Sequence, residues 1–237
     1  MTTYFDIIMI PLQLLIVFFT IYYFTLSFFG LVYRKKDKKV YEEKHTFAMV
    51  VCAHNEERVI GALVENLHLL NYSDKLYDIF VVADNCTDKT AEVARKAGAQ
   101  VHERFNDTEK GKGYAMDWMF NRLFKMERQY DAVCVFDADN LVHPDFLKEM
   151  NQPPLQRRAA LFMGYLDSKN PNDTWISGTS RLHFWVINHV YHLAKYNDRP
   201  VEPASAARAC AFPPIFCAGY GWGATCLTED MEFDHEG

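Results

Sequence analysis

Three observations predict an α/β fold, a mostly parallel sheet with helices on both faces, preceded by one long apolar helix. The 237-residue chain alternates short apolar, β-branched runs with stretches of helical periodicity. Its polar residues collect where the strands end, the position at which parallel sheets bind ligands. No charged residue occurs from Ile7 through Tyr33, about 27 residues, more than the ~20 that cross a bilayer as a helix.

That first run, residues 1–34, reads as a transmembrane helix. It is too long for a signal-peptide core and has no basic stretch in front of it, so removal is not expected. Asp6 is its one charged side chain upstream, whereas Arg34, Lys35, Lys36, Lys38 and Lys39 follow at once. The positive-inside rule then implies a single-pass protein of the cell membrane with its amino terminus outside and its body in the cytoplasm. Residues 35–45 form a basic, charged juxtamembrane linker.

The body, 46–237, follows in strand and helix alternation. Residues 46–52 (Thr-Phe-Ala-Met-Val-Val-Cys) are too short and too β-branched for a helix, so they predict a buried strand. Val59, Ile60, Leu63, Leu67 and Leu70 recur at three- and four-residue spacing and predict a helix over 57–70. The same reading gives strands at 76–83, 99–102 and 131–136, with helices at 87–97 and 113–126. Aromatic residues including Trp175, Phe184 and Trp185 lie on a helical run over 173–196 and are expected mainly as core.

Composition narrows the function. With 49% hydrophobic and 24% charged residues the chain is globular, not disordered. Twenty-five basic against 31 acidic residues give −6, so there is no general attraction for nucleic acid. Six cysteines without a C-x-x-C pair are expected as reduced thiols packed in the interior.

Carboxylates and amides follow the strands: Asn55-Glu56-Glu57, Asp84-Asn85-Cys86-Thr87-Asp88 and Asp137-Ala138-Asp139-Asn140. Residues two apart in extended chain project to one side, so Asp137 and Asp139 are predicted to face one cleft. Paired carboxylates there call for a hard divalent cation, Mg²⁺ or Mn²⁺, bridging to a substrate diphosphate. Lys110 and Lys112 lie in a Gly-flanked loop opening a helix, where amides and ammonium charge meet phosphate.

Five segments in this order, residues 50–57 (VVCAHNEE), 81–88 (VVADNCTD), 110–115 (KGKGYA), 135–140 (VFDADN) and 228–230 (TED), resemble the family 2 glycosyltransferases. These are inverting enzymes of the GT-A fold, and the resemblance is greatest to the membrane-bound chitin, hyaluronan and poly-N-acetylglucosamine synthase branch. The resemblance implies a UDP-sugar donor, UDP-N-acetylglucosamine or UDP-glucose, and a glycan or lipid-linked acceptor. It also implies that Ala53, Asn55 and Glu57 contact the nucleotide, Asp84 the uracil, Lys112 the diphosphate and Asp137 the ribose or donor sugar. Asp139 would be the metal ligand and Asp230 the catalytic base, because an acceptor hydroxyl needs its proton removed during attack on the anomeric carbon.

Two segments depart from that pattern, 151–163 and 198–219. The second holds Pro200, Pro203, Pro213 and Pro214 and shows neither strand nor helix periodicity, so the strand and helix of the acceptor side are not expected there. Compensating reading-frame shifts and a local insertion are the two explanations for such a loss and recovery of similarity. Polymer-forming relatives continue past the T-E-D motif, whereas this chain stops at Gly237. The expectation is therefore a donor site that binds UDP-sugar, slow transfer and no polymer. Rival readings are an inactive, donor-binding remnant and a sugar-phosphate nucleotidyltransferase, which would release pyrophosphate instead of UDP.

Overall fold

In the computed structural model the described residues are 2–31, 42–151, 162–163, 173–186 and 209–212. They fall into two units, one containing Met1–Lys38 with Tyr165–Glu202 and the other Lys39–Gly164 with Pro203–Gly237.

The second unit is built on a sheet of order β3-β2-β1-β4-β6-β5. Strands β1 (Phe47–Ala53), β2 (Tyr77–Asp84), β3 (Gln100–Arg104) and β4 (Ala132–Asp137) run parallel, while β6 (Ala209–Phe212) is antiparallel to both β4 and β5 (Phe162–Met163). The alternation of side chains along β1 sorts the core into two layers. Phe47, Met49 and Val51 pack with Ile60, Leu63, Val64 and Leu67 of α2 (Ile60–His68) and with Ala94 of α3 (Thr90–Lys96). Ala48 and Val50 pack on the opposite face with Ala115, Met116, Met119 and Phe120 of α4 (Lys112–Leu123). Helices on both faces explain why the central strands are apolar throughout and do not alternate in polarity. A short helix α5 (Phe146–Met150) adds Leu147 to the first layer.

The expected elements are all present between residues 46 and 137, with shifted ends. Strand β3 continues two residues beyond the predicted 102, because its pairing with β2 extends to Arg104 opposite Asp84. The larger correction concerns 198–219, where no strand is expected and β6 forms. Ala-Cys-Ala-Phe is a four-residue run free of proline, and Pro203 and Pro213 bracket it without interrupting it. Strand β4 offers a free edge, which β6 takes in antiparallel register, Cys134 opposite Ala211 and Val135 opposite Cys210. The other atypical segment, 151–163, ends in β5, which completes the sheet.

The first unit contains α1 (Thr2–Leu31), one continuous helix of 30 residues. Most of its described side chains are apolar and exposed, among them Leu14, Phe18 and Phe24. Among the described residues no helix is both long and apolar enough to cross a membrane, so the predicted helix is present while the predicted span is not shown. Helix α6 (Trp175–Val186) lies in the same unit. Its Trp175 is 81% exposed, and Ile176, Leu182 and Trp185 are exposed too, so these side chains are not the core that their helical spacing suggested.

Candidate donor site

The parallel strands deliver their carboxyl ends to one edge of the sheet. Cys52 pairs with Asp137 and Ala53 with Ala83. Chain order reverses between β1 and β4, since β2 and β3 lie on one side of β1 and β4 on the other. In sheets of this kind, the region beyond the strand ends at such a reversal is where ligands usually bind.

The loops after β1 and β2 hold each other by reciprocal hydrogen bonds. Asn55 and Asn85 adopt left-handed backbone, φ 55° and 49°, a conformation Asn tolerates better than most residues. Asn55 Oδ1 accepts from the Thr87 N–H at 2.8 Å. The Glu56 N–H donates to Thr90 Oγ1 at 2.7 Å, and the Glu57 N–H donates to Asp88 Oδ2 at 3.2 Å. In return the Lys89 N–H donates to Glu57 Oε2 at 3.0 Å. Desolvation, the largest single influence, works to raise the Asp88 carboxyl, but hydrogen bonds from the Thr90 hydroxyl, the Thr90 N–H and the Glu57 N–H together outweigh it and hold Asp88 below the ordinary carboxylate range. Burial pushes the Cys86 thiol up, so this half-buried cysteine stays protonated. Of the described cysteines, Cys52 and Cys86 are partly buried and Cys134 is fully buried.

Asp84 is 6% and Arg104 4% exposed, and Arg104 Nη1 donates to Asp84 Oδ1 at 2.7 Å. Strand register imposes this pair, since the two residues face each other across β2 and β3. Asn85 Nδ2 donates to the same carboxylate oxygen at 3.2 Å, while Arg104 Nη2 reaches Glu109 Oε2 at 3.4 Å. The Asn106 N–H donates to Asn85 Oδ1 at 2.9 Å, and Asn106 Nδ2 donates to Glu109 Oε2 at 2.9 Å. Sequence reasoning identified Asp84 but missed Arg104, Asn106 and Glu109. Ending β3 at 102 left Arg104 outside the strand; a lone arginine two residues later was the signal.

On the other side of the crevice Gly111, at φ +121°, turns the chain into α4 and makes Lys112 the first helical residue. Lys112 Nζ lies 2.9 Å from Asp137 Oδ1, with both side chains about a quarter exposed (24% and 30%). Asn140 Oδ1 accepts from the Asp137 N–H at 3.1 Å, which folds the D-A-D-N segment back on the strand end. Asp139 is exposed, and its Oδ1 accepts from Asn140 Nδ2 at 3.2 Å. Lys110 points elsewhere, 3.7 Å from Asp107.

The donor set suits a hard cation. Asp139 offers carboxylate oxygen to solvent, and no group of three or more His, Cys, Asp or Glu that could hold a metal occurs among the described residues. Carboxylate oxygens such as those of Asp137 and Asp139 are the ligand type that hard cations such as Mg²⁺ and Mn²⁺ take. Asp230, the expected catalytic base, lies outside the described residues.

Comparison with known proteins accords with this geometry. A family model described as glycosyltransferase like family 2 matches residues 45–236. A beta-monoglucosyldiacylglycerol synthase of Nostoc sp. is 35% identical over 105 residues, 42% of this chain and 21% of that protein. An N-acetylglucosaminyltransferase of Rhizobium leguminosarum bv. viciae is 24% identical over 172 residues, 73% of this chain and 38% of that protein. The chain thus spans well under half the length of either relative. Among solved structures, the mannosyltransferase PcManGT from Pyrobaculum calidifontis, in complex with GDP-Man and Mn²⁺, shares the fold with a TM-score of 0.64 at 17% identity, covering 90% of this chain and 57% of that one. On the extent of the family match and on this fold, the chain belongs to the family 2 glycosyltransferases, with a GT-A architecture.

Proposed function

We propose that this protein transfers a sugar from a UDP-sugar to an acceptor hydroxyl, with inversion and with Mg²⁺ or Mn²⁺, in the synthesis of a cell-surface glycan or polysaccharide. One observation carries the reading: Lys112 and Asp137 meet at 2.9 Å at the strand-end crevice, beside exposed Asp139. A cationic side chain and two carboxylates placed there fit a diphosphate and its cation. UDP-N-acetylglucosamine and UDP-glucose are the proposed donors, and the glycolipid and N-acetylglucosamine chemistry in the names of the two relatives supports a lipid-linked or glycan acceptor.

Each residue has a defined task. The locked turn holding Ala53, Asn55 and Glu57 forms one wall for the nucleoside. The Asp84–Arg104 pair, fixed by strand register, presents polar atoms to the base. Lys112 binds the diphosphate, Asp137 orients the ribose or sugar, and Asp139 holds the cation. The cation would supply Lewis acidity toward the departing diphosphate. Asp230 removes the acceptor proton during in-line attack, which gives inversion without a covalent enzyme intermediate.

The anchor belongs to the same proposal. About 27 uncharged residues, Ile7 through Tyr33, precede the basic cluster, and most of them lie in the 30-residue helix α1. The proposal of a span rests on that uncharged run, which exceeds the ~20 apolar residues a bilayer-crossing helix needs. We assign the chain a single membrane span with the donor site on the cytoplasmic side.

Membranes carrying the full chain, supplied with radiolabelled UDP-N-acetylglucosamine or UDP-glucose, test the activity. Release of UDP with labelled product of inverted anomeric configuration, lost in Asp230→Asn, is expected. Pyrophosphate release, or undiminished transfer by Asp230→Asn, would refute it.

A further inference from the structure

Among the described residues, the donor crevice carries an internal cation on one of its own carboxylates. Lys112 Nζ stands 2.9 Å from Asp137 Oδ1, and Asp137 is two residues from Asp139. Position and backbone both favour that contact. Gly111 at φ +121° starts α4 with Lys112, and Asn140 Oδ1 fixes the Asp137 N–H at 3.1 Å. The pair is half-buried, so its charges are less screened than those of an exposed pair.

Resting on the donor-site reading above, we propose that Lys112 exchanges partners: it neutralises Asp137 while the crevice holds no nucleotide, and moves to the donor diphosphate when that arrives. The exchange makes metal and nucleotide binding interdependent. A divalent cation arriving alone meets a carboxylate pair already half neutralised by an ammonium group. With a nucleoside diphosphate present, the phosphates draw Lys112 away, Asp137 regains its full charge, and the cation gains phosphate oxygens as well. Linkage requires the reverse effect to be of equal size, so the cation tightens the nucleotide by the same factor. The arrangement suppresses occupation of the site by metal without donor.

A through-space effect of the lysine charge predicts something different. Removing the charge would then strengthen the cation with and without nucleotide, leaving the coupling factor unchanged. Partner exchange predicts strengthening chiefly in the absence of nucleotide, so the factor falls.

The test is a Mn²⁺ titration of the full chain in detergent, followed by electron paramagnetic resonance of free Mn²⁺, with and without UDP. Wild type, Lys112→Met and Lys112→Arg are compared. In the wild type UDP should tighten Mn²⁺ at least about tenfold, within the roughly 5- to 150-fold range of such couplings. Lys112→Met should bind Mn²⁺ alone several-fold more tightly and lose most of the coupling. Lys112→Arg, which keeps the charge at the same place, should retain a coupling nearer the wild type, so a general loss of fold in the Met variant would not reproduce the pattern. Unchanged coupling in Lys112→Met, or weaker binding of Mn²⁺ alone, overturns the exchange while leaving the donor site in place. Failure of the wild type to bind UDP at all, with or without Mn²⁺, overturns the donor-site reading and the exchange with it.

Discussion

Truncating Asp84 to alanine should destabilise the protein by about 3 kcal/mol, at the lower end of the ~3–5 kcal/mol that follows removal of one partner from a buried ion pair. The magnitude follows from what remains. Arg104 keeps a side chain only 4% exposed, and its other partner, Glu109, is 57% exposed and stands at 3.4 Å, a long contact for a charge-assisted bond. The guanidinium would be left nearly uncompensated in the interior. Urea unfolding in mild detergent, followed by tryptophan fluorescence, measures the loss; in a thermal melt it corresponds to roughly 6–12 °C for a chain of this size. The double variant Asp84→Ala with Arg104→Met should recover most of the stability, because an apolar replacement of a buried pair is often nearly neutral. It should not recover UDP affinity, since both polar groups proposed to face the base are gone. A loss below about 1 kcal/mol for Asp84→Ala, or a double variant less stable than either single one, would refute the reasoning.

Asn55→Ala should cost about 1–3 kcal/mol, from a side chain ill-suited to φ 55° and from loss of the acceptor for the Thr87 N–H, and should weaken UDP; an unchanged urea midpoint would contradict this. Burial pushes Tyr72 and Tyr77 up to about 12, above the ~10 of an unfolded tyrosine. Their contribution is fully present below pH 10 and is lost as pH rises toward 12, so the urea midpoint should fall across that window and fall less in the Tyr72→Phe, Tyr77→Phe double variant. For the anchor, a membrane-impermeant thiol reagent should label a cysteine introduced at Thr2 and miss one at Lys39; the reverse pattern would invert the topology.

Periodicity made the parallel core legible because β1, β2 and β4 are buried on both faces and their helices carry regular apolar stripes. The positions of the residues at the strand ends were legible for the same reason: once a strand is placed, the residue after it is placed too. Arg104 was not, because its role depends on which residue of β2 it faces, and register is invisible in one strand alone. Strand β6 was missed because its four residues are too few to show a period and lie among prolines; it forms because β4 presents an open edge. The exposed aromatics of α6 show the converse, since helical spacing states which residues share a face and not what that face meets.

The most direct test of the donor site is calorimetric titration of UDP into the full chain in detergent, with Mn²⁺ and again with EDTA, for wild type and Asp139→Asn. Wild type should bind UDP markedly more tightly with Mn²⁺, and Asp139→Asn should lose most of that difference while keeping its metal-free affinity. Equal UDP affinity with Mn²⁺ and with EDTA in the wild type would contradict the assignment of the strand-end crevice as a metal-assisted nucleotide site.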